Sequence, residues 1–111
     1  METTVPELKE FLYLLRPVRA DMHSTGPTAA EKEVIGDHFF HLKLLCDLGT
    51  VVLAGRTTTE DDKVFGLCVL KAKDEAAARE VMAGDPAIEK GVMTAELFPF
   101  RIAMLTGVRD E

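Results

Sequence analysis

Imidazole is the one side chain whose unperturbed titration falls near neutral pH, and this chain carries three, at His23, His38 and His41. His38 and His41 stand three apart, a spacing that puts two ligands on one side of a helix. No third histidine follows at a ligating distance and His23 falls in a loop-like stretch, so no metal site is expected. Asp85 sits between Gly84 and Pro86. An aspartate there caps a new helical turn or, beside an imidazole, orients the ring and stabilises its charged form. Arg16, Arg19 and Arg101 are candidates for holding an anionic or phenolate oxygen. The plainer reading of each arginine is a solvated charge near a strand end.

The elements that must position these residues follow from the apolar pattern. Phe11 to Leu15 is an unbroken apolar run closed by Arg16-Pro17 and reads as a first strand. Val18 to Pro27 reads as a loop. Thr28-Ala29-Ala30-Glu31 is a capping box, which predicts a helix from about Ala29 to Leu48 stopped by Gly49. Gly36 weakens that helix by about 1 kcal/mol relative to alanine. Thr50 to Ala54 predicts strand two, Thr57 to Asp62 a polar turn, and Val64 to Leu70 strand three. Asp74 caps a second helix over Glu75 to Ala83, Gly84 closes it, and Asp85-Pro86 opens one further turn ending near Gly91. Thr94 to Leu105 carries strand four, interrupted or bulged around Pro99. The order β-α-β-β-α-β is the split βαβ arrangement, an α+β antiparallel sheet with two helices on one face.

On the first helix Val34, Ile35, Leu42, Leu45 and Leu48 form an apolar sector, with Lys32, Glu33, Lys43 and Asp47 opposite. His38 falls in the middle of that sector and His41 nearer its edge. A histidine facing the sheet is either a core residue bonded to backbone or a general acid/base. In a βαββαβ unit both helices lie on the same sheet face, so His38 and Asp85 are expected within hydrogen-bond reach, directly or through one water, beside a cleft. Phe40 and Leu44 lie towards the polar side, as ordinary surface apolars or part of a subunit contact. The strands are apolar at successive positions, whereas helices on one face alone call for alternation. A second copy of the same sheet would cover the other face, so a homodimer is expected.

Composition narrows the function classes. The 111 residues suit one domain able to bury a core without metal or disulfide support. A net charge of -6 without any Lys/Arg run argues against nucleic acid as a partner. The longest apolar run is too short to span a bilayer, and Met1 to Pro6 lacks the layout of a secretion signal, so no membrane partner is expected. Cys46 and Cys68 lie in apolar runs and read as buried, reduced and slow-reacting thiols suited to a cytoplasmic setting.

Several stretches together resemble the YciI-like family of YCII-related domains. His38-Phe39-Phe40-His41-Leu42-Lys43-Leu44-Leu45 is followed by Gly49, eleven residues after His38, and then by Val52-Leu53-Ala54-Gly55. Thr28 to Glu31, Phe65-Gly66, the Ala-rich helix Glu75 to Met82, Asp85-Pro86, Gly91-Val92 and Phe98-Pro99-Phe100-Arg101 continue the likeness in order. The resemblance runs from roughly Phe11 to Leu105. It implies a ferredoxin-like unit whose sheets pack together in pairs, the dimeric α+β barrel. It also implies a histidine and aspartate active site, carried over to His38 and Asp85. One relative with known chemistry eliminates chloride from a chlorinated hydroxyquinol. Two positions depart from the pattern: Arg56 stands where proline is common after Ala-Gly, and Phe98 where histidine is often seen before Pro-Phe.

Two functions are therefore expected. One is a small-molecule enzyme without a cofactor, a lyase or isomerase in which His38 moves a proton, Asp85 supports it and arginines hold a small anionic or phenolic ligand. The other is a dimeric binding or accessory module, since a fold alone does not decide function.

Overall fold

A computed structural model describes residues 7–107. The expectation about Met1 to Pro6 lies outside the described residues. The elements run β1 (Lys9–Pro17), α1 (Met22–Thr25), α2 (Ala29–Asp47), β2 (Val51–Arg56), β3 (Gly66–Ala72), α3 (Glu75–Ala83), α4 (Pro86–Glu89) and β4 (Met93–Phe100). The four strands form one antiparallel sheet in the order β2-β3-β1-β4. The fold is thus the ferredoxin-like α+β arrangement that the order of elements predicts.

β1 is central and apolar on both sides. Phe11, Tyr13 and Leu15 are buried and join Leu42 of α2, Val51, Cys68, Leu70, Ala72 and Ala78 in the core. Leu12 and Leu14, on the opposite face, are half-buried. α2 begins at the capping box: the Glu31 amide donates to Thr28 Oγ1 at 3.1 Å and the Thr28 amide to Glu31 Oε1 at 2.8 Å. It ends where Gly49 takes a φ of +86°, a left-handed turn that favours glycine.

The structure corrects several local expectations. The stretch expected as a loop contains α1, a single turn too short to show periodicity, with Met22 buried. β3 starts at Gly66 because the two preceding residues serve the turn. The Val64 amide points to the Asp61 carbonyl at 3.4 Å, and the Phe65 carbonyl accepts from Thr57 at 2.9 Å. Pro99 causes no bulge, since it pairs opposite Phe11 in an unbroken register and lies in an edge strand. The irregularity falls instead between Val51 and Leu53 of β2. β4 stops at Phe100, and the following residues cross the open sheet face, where the Ile102 amide donates to Glu10 Oε1 at 3.1 Å. Arg101 to Leu105 line a groove there with Leu12, Leu53, Leu67, Val69 and Phe100.

Two positions assigned to the interior are exposed. Leu48 caps α2 and is 69% exposed, and Cys46 is exposed while Cys68 is fully buried. Both exposed residues come from the last turn of α2, at the margins of a sector centred on His38 and Leu42, where the helix has passed the sheet residues it packs on.

Candidate functional site

Asp85 is built into its place by backbone chemistry. α3 closes at Gly84, whose amide reaches the Glu80 carbonyl at 3.1 Å. Asp85 is then extended (φ -69°, ψ 123°) and caps α4, its Oδ1 accepting from the Ala87 amide at 3.0 Å. Pro86 follows at the first helical position, where no amide donor is needed. The carboxylate is fully buried.

Two further side chains reach it. His38, from the middle of α2, places Nδ1 2.7 Å from Oδ1 and 2.9 Å from Oδ2. The Tyr13 hydroxyl, from β1, donates to Oδ2 at 2.9 Å. An ionised carboxylate can only accept, so the ring proton lies on Nδ1 and Nε2 is left to exchange a proton elsewhere. The His38 side chain keeps 14% of its surface, while Asp85 keeps none.

The electrostatics follow from these bonds. Burial alone would raise the Asp85 carboxyl. The hydrogen bond and charge of His38, the Ala87 amide and the Tyr13 hydroxyl together outweigh it and hold the group below its ordinary value. Burial drives the Tyr13 hydroxyl far up, and the neighbouring Cys68 and Asp85 add to that. Burial also pushes the Cys68 thiol up to about 11. Tyr13 and Cys68 are therefore neutral at physiological pH, and the Asp85 carboxyl is ionised.

Of the residues singled out from the sequence, the structure brings His38 and Asp85 together and leaves the arginines apart from them. Arg19 is bound to its own surroundings. It donates to Glu31 at 3.0 and 2.7 Å, to Asp21 at 3.2 Å, to Thr25 Oγ1 at 2.7 Å and to the Gly26 carbonyl at 2.9 Å. The Arg19 hydrogen bonds, with the Thr28 amide, hold the Glu31 carboxyl down to about 2. Arg19 thus ties the loop before α2 to the capping box. Arg16 lies with its guanidinium carbon 5.3 Å from the centre of the Phe65 ring. Arg101 lines the groove on the open sheet face, opposite the helices. That groove and a second one, lined by Gly55, Arg56, Thr57, Phe65 and Leu67, do not include His38. The buried Nε2 of His41 has no hydrogen-bond partner among the described residues. Among those residues no group of three or more His, Cys, Asp or Glu side chains could hold a metal ion, and no helix is long and apolar enough to cross a membrane.

Tyr13 is the member that sequence reasoning missed. The signal was available: it is the chain's one tyrosine and sits at an inward position of β1. A buried tyrosine requires a partner for its hydroxyl.

Comparison with curated proteins gives no match. The family model of the YCII-related domain matches residues 13–101, a span that opens on Tyr13 and takes in both His38 and Asp85, and the chain belongs to that family.

Proposed function

We propose that the protein is a cofactor-independent small-molecule enzyme of the lyase or isomerase type, with His38 as the group that gives and takes the proton. The observation that carries this reading is the 2.7 Å approach of His38 Nδ1 to a fully buried carboxylate. In this reading Nε2 removes a proton from the substrate and returns it at another atom or to a leaving group. Asp85 fixes the tautomer and stabilises the imidazolium as it forms. Tyr13 and the Ala87 amide keep the carboxylate ionised and prevent it from turning away. The working unit is a homodimer joined through the open sheet face, which carries Leu53, Phe98 and Phe100 exposed. The two free thiols suit a reducing cytoplasm.

A second reading has its own support. Asp85 already has a structural task as the cap of α4, and the two grooves named above lie away from His38. A dimeric binding or accessory module would use the network to lock α2, α4 and β1 together, without turnover.

A panel of lactones, hydroxyquinones and halogenated phenols distinguishes the two, offered to wild type and to His38→Ala. The enzyme reading expects turnover of one class and a loss of about 10²–10⁴-fold in kcat for the variant. Turnover unchanged by His38→Ala, or binding of a compound without turnover, would overturn it.

A further inference from the structure

The outer surface of α2 is not the polar face that a helix turned to solvent normally shows. Phe40, Leu44 and Leu48 follow one another at four-residue steps and are all exposed, and Phe39 stands beside them, 63% exposed. The rings of Phe39 and Phe40 meet edge to face, with centroids 6.2 Å apart. α3 packs on the same side of the sheet, through Ala78. Its solvent side carries Glu75, Arg79 and Glu80 and, among the described residues, no exposed large apolar side chain. The apolar surface therefore belongs to α2 and is not a general property of the helical layer.

Side chains four apart form a ridge on a helix, and two such ridges lock side by side when helices cross at about 50°. The ridge next to Phe40, Leu44 and Leu48 is Phe39, Lys43 and Asp47. Lys43 and Asp47 are exposed, opposite in charge and one turn apart, with 3.5 Å between Nζ and Oδ2. Two antiparallel copies of α2 crossing near Leu44 set Lys43 of each copy within about a turn of Asp47 of the other. The two-fold axis makes that pairing twice. Glu33 and Asp37, the acids on the other flank, then lie past the end of the facing helix, and Asp37 already has Lys90 at 4.0 Å. The face thus matches itself in both shape and charge. Its area is on the order of a few hundred Å², the scale of the largest apolar patches on monomers. That is short of the roughly 800 Å² per partner of a stable interface, so the contact it makes is weak and reversible.

We propose that the outer face of α2 docks the same face of a second copy of this chain, as an antiparallel two-fold helix pair. This contact lies on the side of the molecule away from the open sheet face, so a chain can make both at once. It rests neither on the catalytic reading nor on the sheet-face dimer.

Sedimentation of the full chain from micromolar to millimolar concentration tests this, with amide NMR of the ¹⁵N-labelled chain over the same series. The weight-average mass at about 1 mM should be about 1.5 times its micromolar value, the rise given by a Kd near 1 mM. If the sheet-face dimer forms, the rise starts from two chains, and otherwise from one. The concentration-dependent shifts should fall on the Phe39 to Leu48 amides. Leu44→Glu and Phe40→Gln, both at exposed positions, should each abolish the rise and leave the micromolar species unchanged. Lys43→Asp should weaken it, and Lys43→Asp with Asp47→Lys should restore it. A flat mass up to 1 mM, a rise that survives Leu44→Glu and Phe40→Gln, or shifts at Leu12, Leu67 and Val69 instead of α2 would overturn the proposal. A loss in Lys43→Asp that the double variant does not restore would overturn the antiparallel crossing. A flat mass with α2 shifts only on adding dodecylphosphocholine micelles would assign the face to a lipid surface and overturn the pairing.

Discussion

Asp85 accepts from His38, Tyr13 and Ala87 while fully buried, so each donor it loses leaves a charge poorly compensated. Its native carboxyl titrates below the unfolded value of about 3.9. The sign follows: its contribution to stability is present above that unfolded value and is lost as the pH falls through the lower native one. Urea midpoints measured against pH should therefore fall more steeply below about pH 4 for wild type than for Asp85→Asn. An equal slope would show that the carboxylate is not ionised in the native state. Tyr13→Phe should cost about 1.5–3 kcal/mol, the range for a hydrogen bond to a charged group, by urea unfolding. The thiols give a further check at this scale. One equivalent of a thiol reagent should react quickly, at exposed Cys46, and the second only on unfolding, at buried Cys68. Rapid loss of both would contradict the burial of Cys68. At this scale the sequence was readable where periodicity placed a polar group among apolar ones, as at His38. It was silent at Tyr13, because one buried aromatic among others gives no hint of where its hydroxyl goes.

The elements were legible in proportion to their length and punctuation. α2 was marked by a capping box and a terminal glycine, and α3 by Asp74, whose side chain accepts from the Ala77 amide at 2.8 Å. α1 was not legible, since its four residues are held by contacts from Arg19 that lie outside any local pattern. The end of β4 was misjudged because Ile102 to Leu105 are as apolar as a strand but run on past the paired residues and line the groove beside the sheet. Within α2, Gly36 has nothing within 4 Å of where a Cβ would stand. Gly36→Ala should therefore stabilise the fold by about 0.5–1 kcal/mol in urea unfolding, through the lower entropy of the unfolded chain. A destabilised variant would mean that another surface packs closely against this turn.

For the molecule as a whole, the order of elements was enough to place two helices on one sheet face, and the apolar second face was legible from the same runs. The homodimer proposal predicts a sedimenting species of twice the chain mass of 12.2 kDa at micromolar concentration. A folded monomer there would leave the Leu12, Leu53, Leu67 and Val69 groove with only the chain's own Arg101–Leu105 segment as cover, and the proposal would fail.

Both outer strands also decide what kind of aggregate this sheet can form. β2 is interrupted between Val51 and Leu53, and β4 carries Pro99. A stray strand arriving at β2 meets backbone groups out of step with its own, and one arriving at β4 meets a proline with no amide hydrogen to give. Neither border is a good template for strand-by-strand growth, the route to amyloid. The offset in β2, which the sequence did not announce, and the proline of β4, which it did, thus both blunt the borders of the sheet against strand-by-strand growth.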